Sequence, residues 1–272
     1  MPWPRLRRGR IEDPALLLDA AEAALDDGRS DEAYRRAERA HRVLRRSGAG
    51  AEAESGALLL QAAALSQLGR REPALAAATA ATGLTADDPE AWRLRGVAAY
   101  LLGRFDEAAS HLERAVALAP HDADAWHTLG RARAWLGQAA AGDEALDRAA
   151  CLDPSHYTPP LRIASGEFDR LAAEVWAAIP VQFRRMLANT MLVVEPLPDP
   201  EEVEEGLDPD LLGVYSGATV LHDDGPFERI VLYQRNHETV CATLGQLREE
   251  IRRTILHEVG HHFGMDEHEL PY

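Results

Sequence analysis

The chain has 272 residues, of which 46% are hydrophobic and 27% are charged, and these proportions exclude a chain that is disordered throughout. Acidic residues outnumber basic ones by 45 to 29, so the net charge is −16 at pH 7. Because a negative field of this size repels phosphate groups and anionic lipids, we expect neither a nucleic acid nor a membrane to be the main partner. Every basic residue is an arginine, which suggests a GC-rich bacterial coding sequence.

Two features predict a cytoplasmic protein. Cys151 and Cys241 lie far apart in different kinds of sequence, so a disulfide framework is not expected. The basic N-terminal residues are not followed by an apolar stretch as long as a signal peptide or a membrane-spanning helix needs. We therefore expect the protein in the cytoplasm.

The first half of the chain repeats itself every 34 residues. The positions that recur are Leu68-Gly69, Leu102-Gly103 and Leu136-Gly137, Trp92 and Trp126, Gly96 and Gly130, Ala115 and Ala149, and Pro120 and Pro154. A period of this length indicates stacked units of two helices each. We predict about four helix pairs over residues 12–155, of which the first is the most divergent.

The identities within this period resemble those of tetratricopeptide repeats. In the repeat that starts near Pro89, the matching positions are Trp92, Gly96, Ala108, Ala115 and Pro120. Small residues let the two helices of a repeat approach closely, and a proline ends the second helix. The sequence departs from the family at Leu58, where a tryptophan is usual, and at Gly142, where an alanine is usual. The resemblance implies either a scaffold of stacked helices or a groove that binds a protein or peptide partner, and we favour the groove.

The composition changes at residues 154–160, which are rich in proline and follow the end of the alanine-rich sequence. We therefore expect an N-terminal tail at residues 1–11, the repeats at 12–155, a linker at 156–164 and a small α+β domain at 165–272. The fold class is a helical repeat solenoid followed by this α+β domain.

Within the α+β domain, hydrophobic periodicity predicts short helices and strands. We expect helices at 168–178 and 181–187, strands at 190–194, 212–220 and 229–234, and a last helix at Leu244–His262. Residues 195–210 hold eight acidic residues, four prolines and no basic residue. We interpret that stretch as a solvated loop, and the alternative is an acidic flap that selects substrates.

The last helix carries a metal-site motif. His257 and His261 are four residues apart, so both fall on one face of the helix, and Glu258 beside them is suited to act as a general base. Gly264 then permits a reversal of the chain that brings Glu267 back towards the two histidines. Two histidines and a carboxylate are the ligand set of a catalytic zinc site, so we predict one Zn²⁺ per chain.

Together with the GVYSG and RIVLYQ segments, this motif makes residues 165–272 similar to the minimal zincin-like metallopeptidases of bacteria. The resemblance implies a compact α+β domain that binds zinc through His257, His261 and an acidic residue after the glycine, with Glu258 as base. The family commonly has aspartate where this chain has Glu267. Asp266 and His268 are therefore alternatives for the third ligand.

We expect a substrate to lie extended along the third predicted strand and to pair with its main chain, beside Ile230, Val231, Leu232 and Tyr233. Tyr233 is either a stabiliser of the oxyanion or a packed aromatic. The sequence thus predicts a zinc-dependent metallopeptidase whose repeats bind a partner or substrate protein. The alternative is a repeat adaptor without catalysis, whose metal site is structural or silent.

Overall fold

The computed structural model describes residues 13–180, 190–216 and 228–262, with side chains up to Gly260. The helix predicted at 181–187 and the positions of Gly264, Asp266, Glu267 and His268 lie outside the described residues. The chain divides into two compact units, residues 1–128 and 129–272. In the part of the chain that the structure describes, none of the helices has the length and hydropathy needed to cross a membrane.

The first unit is built from helices, and from the first to the sixth each packs on the next along the chain. They are α1 (Pro14–Asp26), α2 (Ser30–Ser47), α3 (Ala51–Gln67), α4 (Arg71–Leu84), α5 (Pro89–Leu101), α6 (Phe105–Leu118) and the beginning of α7 (Ala123–Trp135). The buried positions are mostly alanines, whose small side chains let neighbouring helices approach closely. With α8 (Ala139–Leu152) the structure has four successive helix pairs, as the repeat period predicts.

The recurring glycines lie between the two helices of each pair. Gly28, Gly69, Gly103 and Gly137 have φ angles between +68° and +75°, which is the left-handed region that side chains with a Cβ atom rarely adopt. The recurrence of glycine in the sequence therefore reflects a left-handed backbone conformation that recurs in each helix pair.

Two tryptophans hold the turns that precede their helices. The indole Nε1 of Trp92 donates a hydrogen bond to the carbonyl oxygen of Ala86 at 2.9 Å, and Trp126 donates in the same way to Pro120 at 3.1 Å. In both repeats the acceptor lies six residues before the tryptophan. Each tryptophan therefore ties its helix to the preceding turn through the polar end of its indole ring.

Among its described residues, the second unit contains the end of α7, then α8, a three-stranded sheet and four further helices. The elements are α9 (Ser165–Ala178), β1 (Thr190–Glu195), α10 (Pro200–Glu204), β2 (Gly213–Ser216), β3 (Glu228–Tyr233), α11 (Gln234–Val240) and α12 (Leu244–His262). The strand order is β1-β3-β2, with β1 parallel and β2 antiparallel to β3. The core is shared by α9, β3 and α12 and contains Phe168, Ile230, Leu232, Leu247, Ile251 and Ile255.

Most of the elements predicted for this unit are confirmed. The last helix has the predicted bounds, and β2 falls within the predicted 212–220. Strand β1 extends one residue beyond the prediction, and β3 begins and ends one residue earlier than predicted. The prediction of a loop throughout residues 195–210 is wrong over α10. This helix begins after Asp199, whose side chain accepts a hydrogen bond from the Glu201 amide, and it buries Val203.

The close approach of α7 and α8 explains the glycine at position 142. A Cβ atom on Gly130 would lie 2.7 Å from the carbonyl oxygen of Gly142, and one on Gly142 would lie 2.8 Å from that of Gly130. The two backbones are therefore in contact, and the alanine that is usual at position 142 would not fit.

Glu238 of α11 collects hydrogen bonds from separate parts of the second unit. Its carboxylate is 0% exposed and accepts from the Gln234 amide at 2.6 Å, from the Ile163 backbone amide at 3.3 Å and from Arg162 at 3.1 Å. Arg162 also donates to Asp143 of α8 at 2.6 Å. The segment 156–164, predicted as a linker, thus makes specific contacts. The predicted domain bounds stay a prediction.

His237, also on α11, is fully buried behind the sheet. Its Nδ1 lies 2.9 Å from the carbonyl oxygen of Tyr233, which can only accept, so Nδ1 carries the proton. The Nε2 atom of the neutral ring lies 3.2 Å from the hydroxyl oxygen of Thr254, which in turn lies 2.9 Å from the carbonyl oxygen of Glu250. Burial lowers the pKa of His237 to about 4.

We expect Gly96→Ala to lower the free energy of unfolding by about 1–3 kcal/mol, the usual cost of overpacking a core. The new Cβ would lie 2.6 Å from Cγ of the fully buried Leu112. Gly56→Ala in α3 is the control, because nothing lies within 4 Å of that Cβ. It should raise the free energy of unfolding by about 0.5–1 kcal/mol. Urea denaturation measures both values. If both substitutions changed the free energy of unfolding in the same direction, this would contradict the close packing at Gly96.

We expect the free energy of unfolding to fall as the pH drops from 6.5 to 4, because the unfolded chain binds a proton at His237 that the folded chain does not bind. The full contribution is roughly 3 kcal/mol. Urea denaturation at several pH values should show a smaller loss in His237→Gln than in the wild type. His121→Gln, which changes an exposed histidine, should follow the wild type. Identical pH dependence in all three proteins would exclude His237 as the titrating group.

Candidate functional site

A cleft of about 340 Å³ lies between α12 and the segment that leads into β2. The α12 side is formed by Glu250, Arg253, Thr254, His257 and Glu258, and the opposite side by Asp208, Asp210, Leu211, Leu212 and Gly213. Two of the residues that the sequence motif singles out, His257 and Glu258, therefore face one cavity. Its size suits a few side chains of a peptide.

The carboxylate of Glu258 is held by the main chain of β2. Glu258 is 7% exposed, and its Oε2 accepts a hydrogen bond from the backbone amide of Tyr215 at 2.8 Å. The register explains this contact. Because Tyr233 donates to the carbonyl of Leu212, the alternation of an antiparallel ladder turns the amide of Tyr215 away from β3, where Glu258 meets it. A charge-assisted bond of this kind fixes the direction of the carboxylate.

Close contact between β2 and α12 brings the amide of Tyr215 within hydrogen-bond distance of the Glu258 carboxylate. A Cβ atom on Gly213 would lie 2.7 Å from Cγ2 of Thr254 and 2.7 Å from the carbonyl oxygen of Val231. A larger residue at position 213 would push the strand away from the helix. The glycine therefore sets the distance between Tyr215 and Glu258.

The histidines of the motif lie on one uninterrupted helix. His257 is half-buried and lines the cleft, and α12 continues through His261 to His262. The side chain of His261 and the whole of Glu267 lie outside the described residues. Among the side chains that the structure describes, no group of three His, Cys, Asp or Glu residues could hold a metal. The imidazole of His257, which lines the cleft, is the type of donor that zinc sites use, and Glu258 lies beside it in the sequence.

The prediction that a substrate pairs with β3 is wrong, because β3 is the central strand of the sheet. Ile230 is paired with Leu192 of β1 on one side and with Tyr215 of β2 on the other, and Val231 and Leu232 are likewise paired on both sides. Their main-chain groups are occupied by the sheet and cannot pair with a substrate. The strand whose outer edge adjoins Glu258 is β2.

Tyr233, at the end of β3, packs in the interior. It is 1% exposed and does not line the cleft, and burial raises the pKa of its hydroxyl. Its carbonyl oxygen accepts a hydrogen bond from Nδ1 of His237. Of the two roles that the sequence left open for Tyr233, the structure supports that of a packed aromatic.

Sequence reasoning missed the residues that hold the second side of the cleft. Asn236 donates to the carbonyl oxygens of Pro209 and Leu211, at 2.9 Å and 2.6 Å, and Arg131 of α7 forms an ion pair with Asp210. These partners are far apart in the sequence. No local pattern could have found them, because the contacts exist only once the unit is folded.

In the repeats, α5 carries two arginines, Arg93 and Arg95, whose side chains contact other residues of the first unit. Arg93 makes two hydrogen bonds to Glu90, at 2.6 Å and 2.8 Å, and lies 3.6 Å from Asp122. The guanidinium of Arg95 lies 5.5 Å from the ring centre of Trp92, which is a cation–π distance.

Comparison with known proteins identifies two families in the chain. The tetratricopeptide repeat family matches residues 89–122, and the zincin-like metallopeptidase family matches residues 187–272. Comparison with curated proteins gives no match.

Several solved structures are similar to part of the chain. A double mutant of MamA is 26% identical, with a TM-score of 0.45, over 54% of this chain and 77% of that one. YrrB, a repeat protein with an unusual peptide-binding site, is 23% identical, with a TM-score of 0.43, over 53% of this chain and 70% of that one. TTC0263 from Thermus thermophilus is 19% identical, with a TM-score of 0.46, over 65% of this chain and 91% of that one.

The matched regions coincide with the elements described above. The pair α5 and α6 spans the matched repeat, and the sheet, α12 and all of the residues that line the cleft fall in the second matched region. The chain therefore contains a tetratricopeptide repeat at residues 89–122 and a zincin-like metallopeptidase domain at residues 187–272.

Proposed function

We propose that the chain is a zinc-dependent metallopeptidase whose repeats bind a partner or substrate protein. The observation that carries the proposal is that His257 and Glu258 face one cleft while the carboxylate of Glu258 is fixed by the amide of Tyr215. A fixed base beside a ligand-type imidazole is the arrangement that hydrolysis of a peptide bond needs.

One zinc ion would be held by His257, His261 and Glu267, with Asp266 and His268 as alternatives for the third position. The support is the unbroken α12, which carries positions 257 and 261 one turn apart. Zinc in such a site supplies a Lewis acid that polarises a carbonyl group and makes water acidic enough to deprotonate near neutral pH.

The protein groups account for proton transfer and orientation. Glu258 takes a proton from the attacking water and passes it to the leaving amine. The amide of Tyr215 keeps the carboxylate pointed in one direction, and the low exposure of Glu258 limits competition from bulk water. Neither function needs a rearrangement of β2 or α12.

A peptide substrate would pair with β2 rather than with β3. Gly213 alternates in phase with Tyr215, so its amide and carbonyl also point away from β3, towards the outer edge of the sheet. A peptide that pairs with the main chain of Gly213 would lie next to Glu258, whose carboxylate already accepts from the amide of Tyr215.

The repeats supply the second half of the proposal. Tethering a partner to the array raises its effective concentration at the cleft. We also retain, as proposals, the cytoplasmic location, the predicted domain bounds, and the expectation that the partner is neither a nucleic acid nor a membrane.

The alternative function is a repeat adaptor with a structural or silent metal site. The engagement of the Glu258 carboxylate by the amide of Tyr215 favours this alternative, because a base that keeps this bond during turnover is a weaker proton acceptor. The variants below separate the two functions.

We expect about one zinc per chain in purified wild-type protein supplied with zinc, and none in the His257→Ala/His261→Ala double variant. His262→Ala, which changes the neighbouring histidine on another face of the helix, is the matched control and should keep its zinc. Elemental analysis gives the ratio. Equal metal content in the double variant and the wild type would contradict the proposed ligands.

We expect Glu258→Gln to keep its zinc and to lose about 10²–10⁴-fold in the rate of casein cleavage, which is the usual contribution of a general base. Glu249→Gln is the control, since Glu249 is exposed on the same helix and pairs only locally with Arg252. Undiminished cleavage by Glu258→Gln would refute the assignment of the base. Zinc binding without cleavage by the wild type would favour the adaptor.

A further inference from the structure

One side of the cleft is a helix, but the other is neither helix nor strand. We call residues 207–212 the cleft wall; with Gly213 they supply half of the residues around the cavity. Inside the wall, the amide of Asp210 donates to the side chain of Asp208 at 2.9 Å, and the amide of Leu211 donates to its carbonyl at 3.3 Å. These bonds shape a turn, but they do not place it relative to α12.

Contacts from the sheet side place the two ends of the wall. Asn236 of α11 is 9% exposed and gives both hydrogens of its amide to wall carbonyls, those of Pro209 and Leu211. The amide of Tyr233 donates to the carbonyl of Leu212 at 2.8 Å. The main chain of the wall is thus attached to the end of β3 and to α11.

The side chain at the middle of the wall is attached elsewhere. Asp210 forms an ion pair with Arg131 of α7, and the two side chains are 32% and 22% exposed. Both residues belong to the second compact unit. Asp210 lines the cleft, so the ion pair connects Arg131 to the cavity.

We infer that Arg131 is a positioning residue for the peptidase site, and that through Asp210 it holds the cleft wall at the distance from α12 that substrate binding needs. The inference rests on the proposed peptidase function. It assigns to a helix of the repeat region a direct part in the affinity of the cleft for its substrate.

The pair should affect binding rather than chemistry. Glu258 and His257 lie on α12, and the bond that orients Glu258 comes from β2, whereas Arg131 pairs with Asp210 on the opposite side of the cleft. Loosening the wall therefore leaves the reacting groups in place while it disorders the surface on which substrate side chains rest. Uniform loss of binding raises KM and spares kcat.

The test uses the full-length, zinc-loaded protein and a casein peptide that the wild type cuts. We expect Arg131→Gln to raise KM about fivefold, in line with what a partly exposed ion pair contributes, with kcat within about twofold of the wild type. Arg131→Lys keeps the charge and should restore most of the affinity. Arg148→Gln, an exposed arginine of α8, is the control and should not change KM.

A double-variant cycle tests whether Arg131 acts through Asp210. Asp210→Asn should raise KM by itself, and adding Arg131→Gln to it should raise KM no further. A readout without substrate is amide hydrogen exchange, in which residues 210–213 should exchange faster in Arg131→Gln than in Arg148→Gln.

An unchanged KM in Arg131→Gln, or a further rise of KM in the double variant, would overturn the inference and leave the proposed peptidase standing. A fall in kcat as large as the rise in KM would also overturn it, since the reacting groups would then be affected. A wild type that binds zinc but cuts no casein peptide contradicts the proposed function, and the inference falls with it.

Discussion

The second compact unit depends on one buried carboxylate. Glu238 is 0% exposed, and a charge taken out of water is tolerated only when donors surround it. The donors come from its own helix, from the backbone at Ile163, and from Arg162, which at the same time reaches Asp143 of α8. Because removal of any one of them leaves the charge less well compensated, α8, the segment before α9 and α11 must come together in a single arrangement.

On this base the site is assembled from parts that are each simple. The helix α12 supplies His257 and Glu258, and the edge strand β2 supplies an amide that its register turns outward. A glycine at position 213 lets the strand lie against the helix. The direction of the Glu258 carboxylate therefore depends on strand register and on one missing Cβ atom.

Much of this could be predicted from the sequence wherever the signal is local. The glycine between the two helices of a repeat and the bounds of α12 follow from periodicity and capping, and the structure confirms them. The place of β3 in the centre of the sheet could not be predicted, because the sequence of a strand is similar whether it lies at the centre or at the edge of a sheet. For this reason the prediction that a substrate pairs with β3 is wrong. The contacts of Asn236 and Arg131 join distant residues, so one sequence holds no sign of them.

The place of α7 in both the repeat period and the second compact unit has an evolutionary consequence. Repeat arrays change length easily, since each repeat contacts only its neighbours and a whole repeat can be duplicated or deleted. The last helix pair is not free in this way, because Arg131 and Asp143 are committed to Asp210 and Arg162. Gains and losses of repeats among descendants of this architecture should therefore fall before residue 123, while α7 and α8 are inherited together with the cleft.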